Sequence, residues 1–192
     1  MVSHLTSTPL IRSGCVVIYH YLPAFMPTPT LPRLSDFSRP GAAEGWEIEN
    51  DVVMGGESSS RMKITKNGNL KFWGKVSLAN DGGFASVQHY FDEVAISQYS
   101  KIRFHVKGDG KDYQLMLKAH RHEKPQYIHG FTTKKKEWQT VELSLGAFYP
   151  VFHGERMDLP NFDGQTLAGT RFFIGNGKAE KFKLLVKWIE LA

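Results

Sequence analysis

Between Tyr99 and Lys107 the chain alternates with a period of two. Ile102, Phe104 and Val106 fall on one side and Lys101, Arg103, His105 and Lys107 on the other, which predicts a strand with one buried face. Gly108-Asp109-Gly110-Lys111 then carries turn chemistry, and Tyr113, Leu115, Leu117 and Ala119 resume the period, so residues 101–120 read as a β-hairpin. The same reasoning places strands over Arg61 to Lys66, Asn69 to Leu78, Phe84 to Tyr90, Gln126 to Thr133, Trp138 to Leu143, Thr170 to Gly175 and Phe182 to Leu191. No stretch of ten or more residues shows a helical period, and Leu145 to Val151 has room for one short turn. About nine short strands with turn signals between them predict an all-β, antiparallel β-sandwich or jelly roll with very little helix. Trp73, Trp138 and Trp188 lie within or at the start of strands and are expected in the core or at a sheet edge.

Two glycine-centred stretches interrupt this pattern: residues 50–60 (Asn50-Asp51-Val52-Val53-Met54-Gly55-Gly56-Glu57-Ser58-Ser59-Ser60) and residues 80–87 (Asn80-Asp81-Gly82-Gly83-Phe84-Ala85-Ser86-Val87). Paired glycines beside Asn and Asp mark backbone that turns sharply and takes positive φ. On a stiff sandwich such loops are expected to sit side by side at one rim and form a contact surface. In that arrangement Asn50 and Asp51 fix the loop shape, Gly55, Gly56, Gly82 and Gly83 permit it, Met54 and Phe84 offer apolar surface, and Trp46 anchors the loop from below. Ser58, Asp81, Ser86 and Gln88 complete the candidate binding set.

The length of 192 residues fits one domain with some excess. Five of the nine prolines precede residue 35, among Ser and Thr and without an apolar period. Residues 1–33 therefore read as a disordered or misassigned extension and 34–192 as a single β-sandwich domain. Three accounts of the extension stand side by side: a true start at Met26, an organelle transit peptide, and a genuine disordered tail. The first implies a cytoplasmic protein in a bacterial source, the second a mitochondrial one. The single Cys15 excludes an internal disulfide framework, and no apolar run of about 18 residues predicts a transmembrane segment.

The formal charge is +5, from 24 basic and 19 acidic residues. Residues 1–35 hold two basic residues, Arg12 and Arg33, and no acidic one, so the remainder carries 22 basic against 19 acidic residues and is nearly balanced. Along the chain the charges look dispersed, and no nucleic-acid partner is expected. The one dense run, Lys134, Lys135 and Lys136, reads as a solvated hairpin loop.

The lead-in Asp36-Phe37 and Trp46, Asn50-Asp51, Met54-Gly55-Gly56-Glu57-Ser58-Ser59, Phe72-Trp73-Gly74-Lys75-Val76-Ser77, Gly82-Gly83-Phe84-Ala85-Ser86, Val106-Lys107-Gly108-Asp109-Gly110-Lys111, Trp138 and the final Phe182 to Ile189 strand together resemble the complex I intermediate-associated protein family. The resemblance covers residues 34 to 191. It implies a fold similar to galactose-binding domains, no enzymatic activity, no cofactor, and a protein partner drawn from respiratory complex I (NADH:ubiquinone oxidoreductase) subunits or assembly intermediates, bound in a chaperone-like role. Two positions depart from the family pattern: Val52 stands where members often have Gly, and Gln88 where an Arg is expected. Some plant relatives join this domain to a nucleotide-binding fold, but no Gly-x-Gly-x-x-Gly follows a strand here.

Catalytic readings are poorly supported by the same residues. Gly56-Glu57-Ser58-Ser59-Ser60 lacks the second glycine and following helix of a nucleophile elbow, and Asp51, Asp81 and Asp109 occur in pairings typical of turns. His120, His122 and His129 are a weak metal candidate, since Arg121 to Pro125 looks like the hairpin turn itself. The alternative to a protein-binding domain is a carbohydrate-binding-like module, with Trp46, Asn50, Asp81 and Gln88 as its contacts.

Overall fold

The computed structural model describes residues 33–192; the expectations for residues 1–32 lie outside them. In chain order the strands are β1 (Arg33–Asp36), β2 (Trp46–Asn50), β3 (Ser59–Ile64), β4 (Leu70–Val76), β5 (Ala85–Ala95), β6 (Lys101–Lys107) and β7 (Asp112–Lys118). They continue with β8 (Gln126–Thr132), β9 (Trp138–Ser144), β10 (Tyr149–Phe152), β11 (Glu155–Arg156), β12 (Thr166–Ile174) and β13 (Glu180–Leu191). Sheet I has the order β3-β4-β13-β6-β9, with β1 also paired to β13; sheet II has the order β11-β10-β8-β7-β12-β5-β2. The ladders between these strands are antiparallel. The fold is thus the all-β sandwich that the alternation predicts.

The two inner faces meet in one aromatic-rich core. Phe72, Phe104, Leu184 and Val186 come from sheet I, and Tyr113, Leu115, Phe131 and Phe172 from sheet II. Phe104 meets Phe131 edge-on at 4.8 Å and Phe172 at 5.6 Å, binding the sheets across their midline. Trp46 joins this core, 5.3 Å from Phe37.

The predicted hairpin over residues 101–120 is corrected. Strand β6 lies in sheet I between β13 and β9, while β7 lies in sheet II between β12 and β8. Gly108-Asp109-Gly110-Lys111 is a corner that carries the chain from one sheet to the other. Alternation fixes which face of a strand is buried and says nothing about its neighbour. Gly108 is needed at this corner, because a Cβ there would lie 2.2 Å from the Thr133 hydroxyl oxygen. Lys134 to Lys136 sit at a second crossing, from β8 to β9, and a bridge between Gly108 and Lys135 ties the two crossings together. The true hairpin is β7–β8, and residues 119–125 form its turn. Strands β1, β2, β10 and β11 have no counterpart among the expected strands, and β5 runs to Ala95 instead of Tyr90.

Trp138 lies at a sheet edge, on β9, as expected, whereas Trp73 and Trp188 are corrected: neither belongs to the core or to an edge strand, and all three lie on the outer face of sheet I. Basic side chains that look dispersed along the chain join them there, because alternate residues of β3, β4, β13 and β6 share that face.

Candidate functional site

Asn50 ends β2 in sheet II and Ser59 begins β3 in sheet I, so residues 51–58 must cross the end of the sandwich. They do so through a one-turn 3-10 helix, Asp51–Met54, closed by Gly55 at φ +92. The second glycine stretch, between β4 and β5, crosses beside it. There Asn80 and Asp81 take left-handed φ of 55 and 56, which Asn and Asp tolerate better than most residues. The Asn80 side chain donates to the Gly55 carbonyl at 3.3 Å, and the two loops lie against each other at one rim.

Asp51 is what holds them. Its side chain is buried, and its carboxylate accepts from the Ser58 amide at 2.8 Å, the Ser58 hydroxyl, the Gly83 amide at 2.6 Å and the Phe84 amide at 3.2 Å. Burial pushes this carboxyl's pKa up, but the Ser58 hydroxyl and the three amides outweigh it and hold the group below the usual carboxylate range. The neighbouring glycines are required by contact: a Cβ on Gly56 would sit 2.4 Å from the Asp51 carboxyl carbon, and one on Gly82 2.6 Å from its oxygen. Ser58 continues the network, since its hydroxyl accepts from the Ser77 amide at 2.9 Å. The Asn50 side chain accepts from the Ser60 hydroxyl at 2.7 Å.

This arrangement separates residues that shape the rim from residues that it presents. Asp51, Gly56 and Ser58 are buried and unable to touch a partner directly. Met54 stands out at 66% exposure, and Val52 and Val53 beside it are 59% and 71% exposed, with Leu78 of the second loop also exposed. Sequence reasoning named Met54 but missed its neighbours, although three successive apolar residues between Asp and a Gly pair are a visible signal. Phe84 is not at the crest: it is half-buried and stacks on Phe173 at 5.2 Å.

Through Phe84 the rim continues onto the outer face of sheet II. Ser86 and Gln88 face outward here, yet Ser86 is fully buried and Gln88 is 4% exposed. The pairing sets Glu47, Gln88, Arg171, Met116, Ile128 and Tyr149 in one row across the sheet. Gln88 donates to Glu47 at 2.9 Å and Glu49 at 3.0 Å, and Arg171 pairs with Glu49 at 3.0 Å. Arg171, directly opposite Gln88 on β12, supplies the positive charge of this row. Gln88 Oε1 and Arg171 Nε are buried without a partner among the described residues. Met116, Ile128 and Val151 form a small apolar cluster at the far side of the row, with Tyr149 and Phe173 against it. Lys118 is tied back to the Glu123 carbonyl and to the Pro125 carbonyl at 3.1 Å.

The remaining candidates serve their own corners. Asp109 accepts from the Tyr113 hydroxyl at 3.0 Å and the Lys183 amide at 2.9 Å. His120 pairs with Glu93 at 3.1 Å, whereas His129 packs on Phe148; the histidines are not brought together.

A family model described as Complex I intermediate-associated protein 30 matches residues 35–186. No curated protein matches the chain significantly. Among solved structures, the family 11 carbohydrate-binding module of a cellulosomal cellulase of Clostridium thermocellum superposes with a TM-score of 0.62 at 18% identity, over 84% of this chain and 94% of that one. A family 29 carbohydrate-binding module gives 0.53 at 9% identity, over 84% and 85%. An agarase gives 0.56 at 12% identity, over 84% of this chain but only 24% of its own. At these identities the likeness is one of fold.

Proposed function

The chain belongs to the complex I intermediate-associated protein 30 family, and we propose that it acts without catalysis, as an assembly factor that docks a protein partner on the rim around Val52, Val53 and Met54. The observation that carries this reading is the exposure of three successive aliphatic side chains on a turn that the buried Asp51 holds in place. Exposed apolar clusters on a soluble domain mark contact sites, and a turn fixed before binding loses little further freedom when the partner arrives. The family's name supports a subunit or assembly intermediate of NADH:ubiquinone oxidoreductase as that partner. The test is co-purification of the tagged protein from its native cells. Val53→Asp and Met54→Asp, both at exposed positions, are expected to retain folding and lose the subunit; unchanged recovery in both counts against the rim.

A second reading, a carbohydrate-binding-like module, is favoured by the outer face of sheet II, where Gln88 Oε1 and Arg171 Nε are buried without a partner among the described residues and the same row runs on through Met116 and Ile128 to Tyr149. One family 11 module of this fold is known in complex with a β-1,3-1,4-mixed-linked tetrasaccharide. Affinity electrophoresis in mixed-linked β-glucan separates the readings: retardation that Gln88→Ala abolishes and Met54→Asp does not supports the sugar.

A further inference from the structure

The outer face of sheet I is built from the other half of each alternation. Its row nearest the rim holds Lys75 directly opposite Lys181. The next holds Arg61, Trp73 and Lys183, and the third holds Lys63, Lys71, Leu185, Lys107 and Trp138. Lys187 joins them at the β13 bulge. None of these eight cations enters an ion pair among the described residues, whereas the far end of the same face is neutralised by Glu142 and Glu190 against Lys101, Arg103 and Arg33. Lys63 also lies directly opposite Lys71. Two like-charged cross-strand pairs each cost roughly 0.2–1 kcal/mol relative to a neutral pair, so the fold keeps this concentration of charge against its own stability.

Aromatic and amide groups are set into the charge. Lys71 Nζ lies 4.3 Å and Lys63 Nζ 5.9 Å from the Trp73 ring centre. Beside them is an open pocket of about 440 Å³, lined by Trp138, His105, Lys107 and Lys187 on one side and by Thr65, Asn67 and Asn69 of the β3–β4 turn on the other. Trp138 is 38% exposed and stacks on His105 at 5.1 Å, which fixes its plane.

We propose that this face binds single-stranded nucleic acid, with one unstacked base in the pocket against Trp138 and successive phosphates on the surrounding lysines and Arg61. A sheet face bearing aromatic side chains among cations suits unpaired bases, which expose their rings and edges together. An acidic peptide would satisfy the lysines but leave the Trp138 and Asn67/Asn69 pocket without a role. A duplex keeps its bases stacked out of reach. This site is separate from the rim and goes beyond the protein-docking reading.

The experiment is fluorescence anisotropy of a labelled oligouridylate of about twelve nucleotides, titrated with the full chain at several salt concentrations. Engagement of about six phosphates predicts a slope of log K against log salt near −4. Lys71→Glu combined with Lys183→Glu is expected to weaken binding at least tenfold and to flatten the slope by about 1.4. Trp138→Ala is expected to weaken binding at least fivefold and leave the slope unchanged. Retention of the native far-ultraviolet spectrum and melting temperature checks that these surface variants fold. No binding at about 50 mM salt, or equal competition by polyglutamate, by phosphatidylserine vesicles or by a duplex of the same length, overturns the proposal. So does an unchanged affinity in Trp138→Ala.

Discussion

On the outer side of sheet I eight cations stand without a carboxylate partner among the described residues, whereas on the outer side of sheet II Arg171 and Lys118 are buried and tied to Glu49 and to two main-chain carbonyls. Both faces come from the same period-two alternation, and both turn away from the shared core. The difference lies in what surrounds each charge. On sheet II a cation out of water must be met by a carboxylate or carbonyl, so each partner is fixed and removing one leaves a desolvated group behind. On sheet I water meets most of the cations, no carboxylate among the described residues fixes them, and an exposed one such as Lys183 can be changed at little cost to the fold. One outer face is an extension of the packing and the other is a surface open to an anion.

Asp51 stands where the chain passes from sheet II to sheet I, and breaking it is expected to have the largest effect. Asp51→Ala removes a charged acceptor from four donors, at about 1.5–3 kcal/mol for a bond to a charged group and with incomplete additivity, so a loss of roughly 3–5 kcal/mol is expected in urea unfolding. If the rim merely decorates two independently stable sheets, the loss will be under about 1 kcal/mol. The acid limb of stability has a defined sign. Because the folded pKa of Asp51 lies below its unfolded value, near 3.9, its contribution is complete above that value and is lost as pH falls through the lower folded value. Asp51→Asn should flatten that limb in denaturant midpoints measured between about pH 2 and 6.

Arg171→Ala and Lys183→Ala make the comparison directly. Removing Arg171 leaves Glu49 beside a buried amide row and is expected to cost about 2–3 kcal/mol, less than for a fully buried pair because Glu49 remains partly exposed. Removing Lys183 is expected to fall within about 0.5 kcal/mol of wild type. Equal costs at the two positions, read from chemical denaturation at neutral pH, would mean that the two outer faces do not differ in the way described.

The parts of this picture that were legible in the sequence are those that depend on one strand or one loop. Ile102, Phe104 and Val106 announce their burial, and Asn50-Asp51 with the glycine pairs announces a shaped turn. What could not be read depends on neighbours far apart in sequence. Gln88 and Arg171 meet because β5 pairs with β12, and nothing in either segment says so. The hairpin expected at Gly108 failed for the same reason, since a corner between sheets and a turn within one sheet use the same glycines. The basic face was hidden most fully: Lys63, Lys71, Lys107 and Lys183 lie tens of residues apart, and only the order β3-β4-β13-β6 sets them side by side. The exposed Val52 and Val53 were within reach, because apolar residues in a polar turn have no core strand to join.

Lys71→Glu is expected to have the smallest effect on stability and the most informative sign. The substitution turns the repulsive pair with Lys63 into an attractive one, and it places a carboxylate beside Lys63 in the cluster around Trp73. Stability should rise by about 0.5 kcal/mol at low salt, and the gain should shrink as screening shortens the reach of exposed charges. Oligouridylate affinity should fall in the same protein. A variant that becomes both more stable and a weaker binder shows that the lysines are kept for a ligand and not for the fold. If Lys71→Glu instead loses more than about 1 kcal/mol, beyond what the lost ammonium contact with the Trp73 ring is worth, the cations of sheet I are structural, like Arg171 on the opposite face.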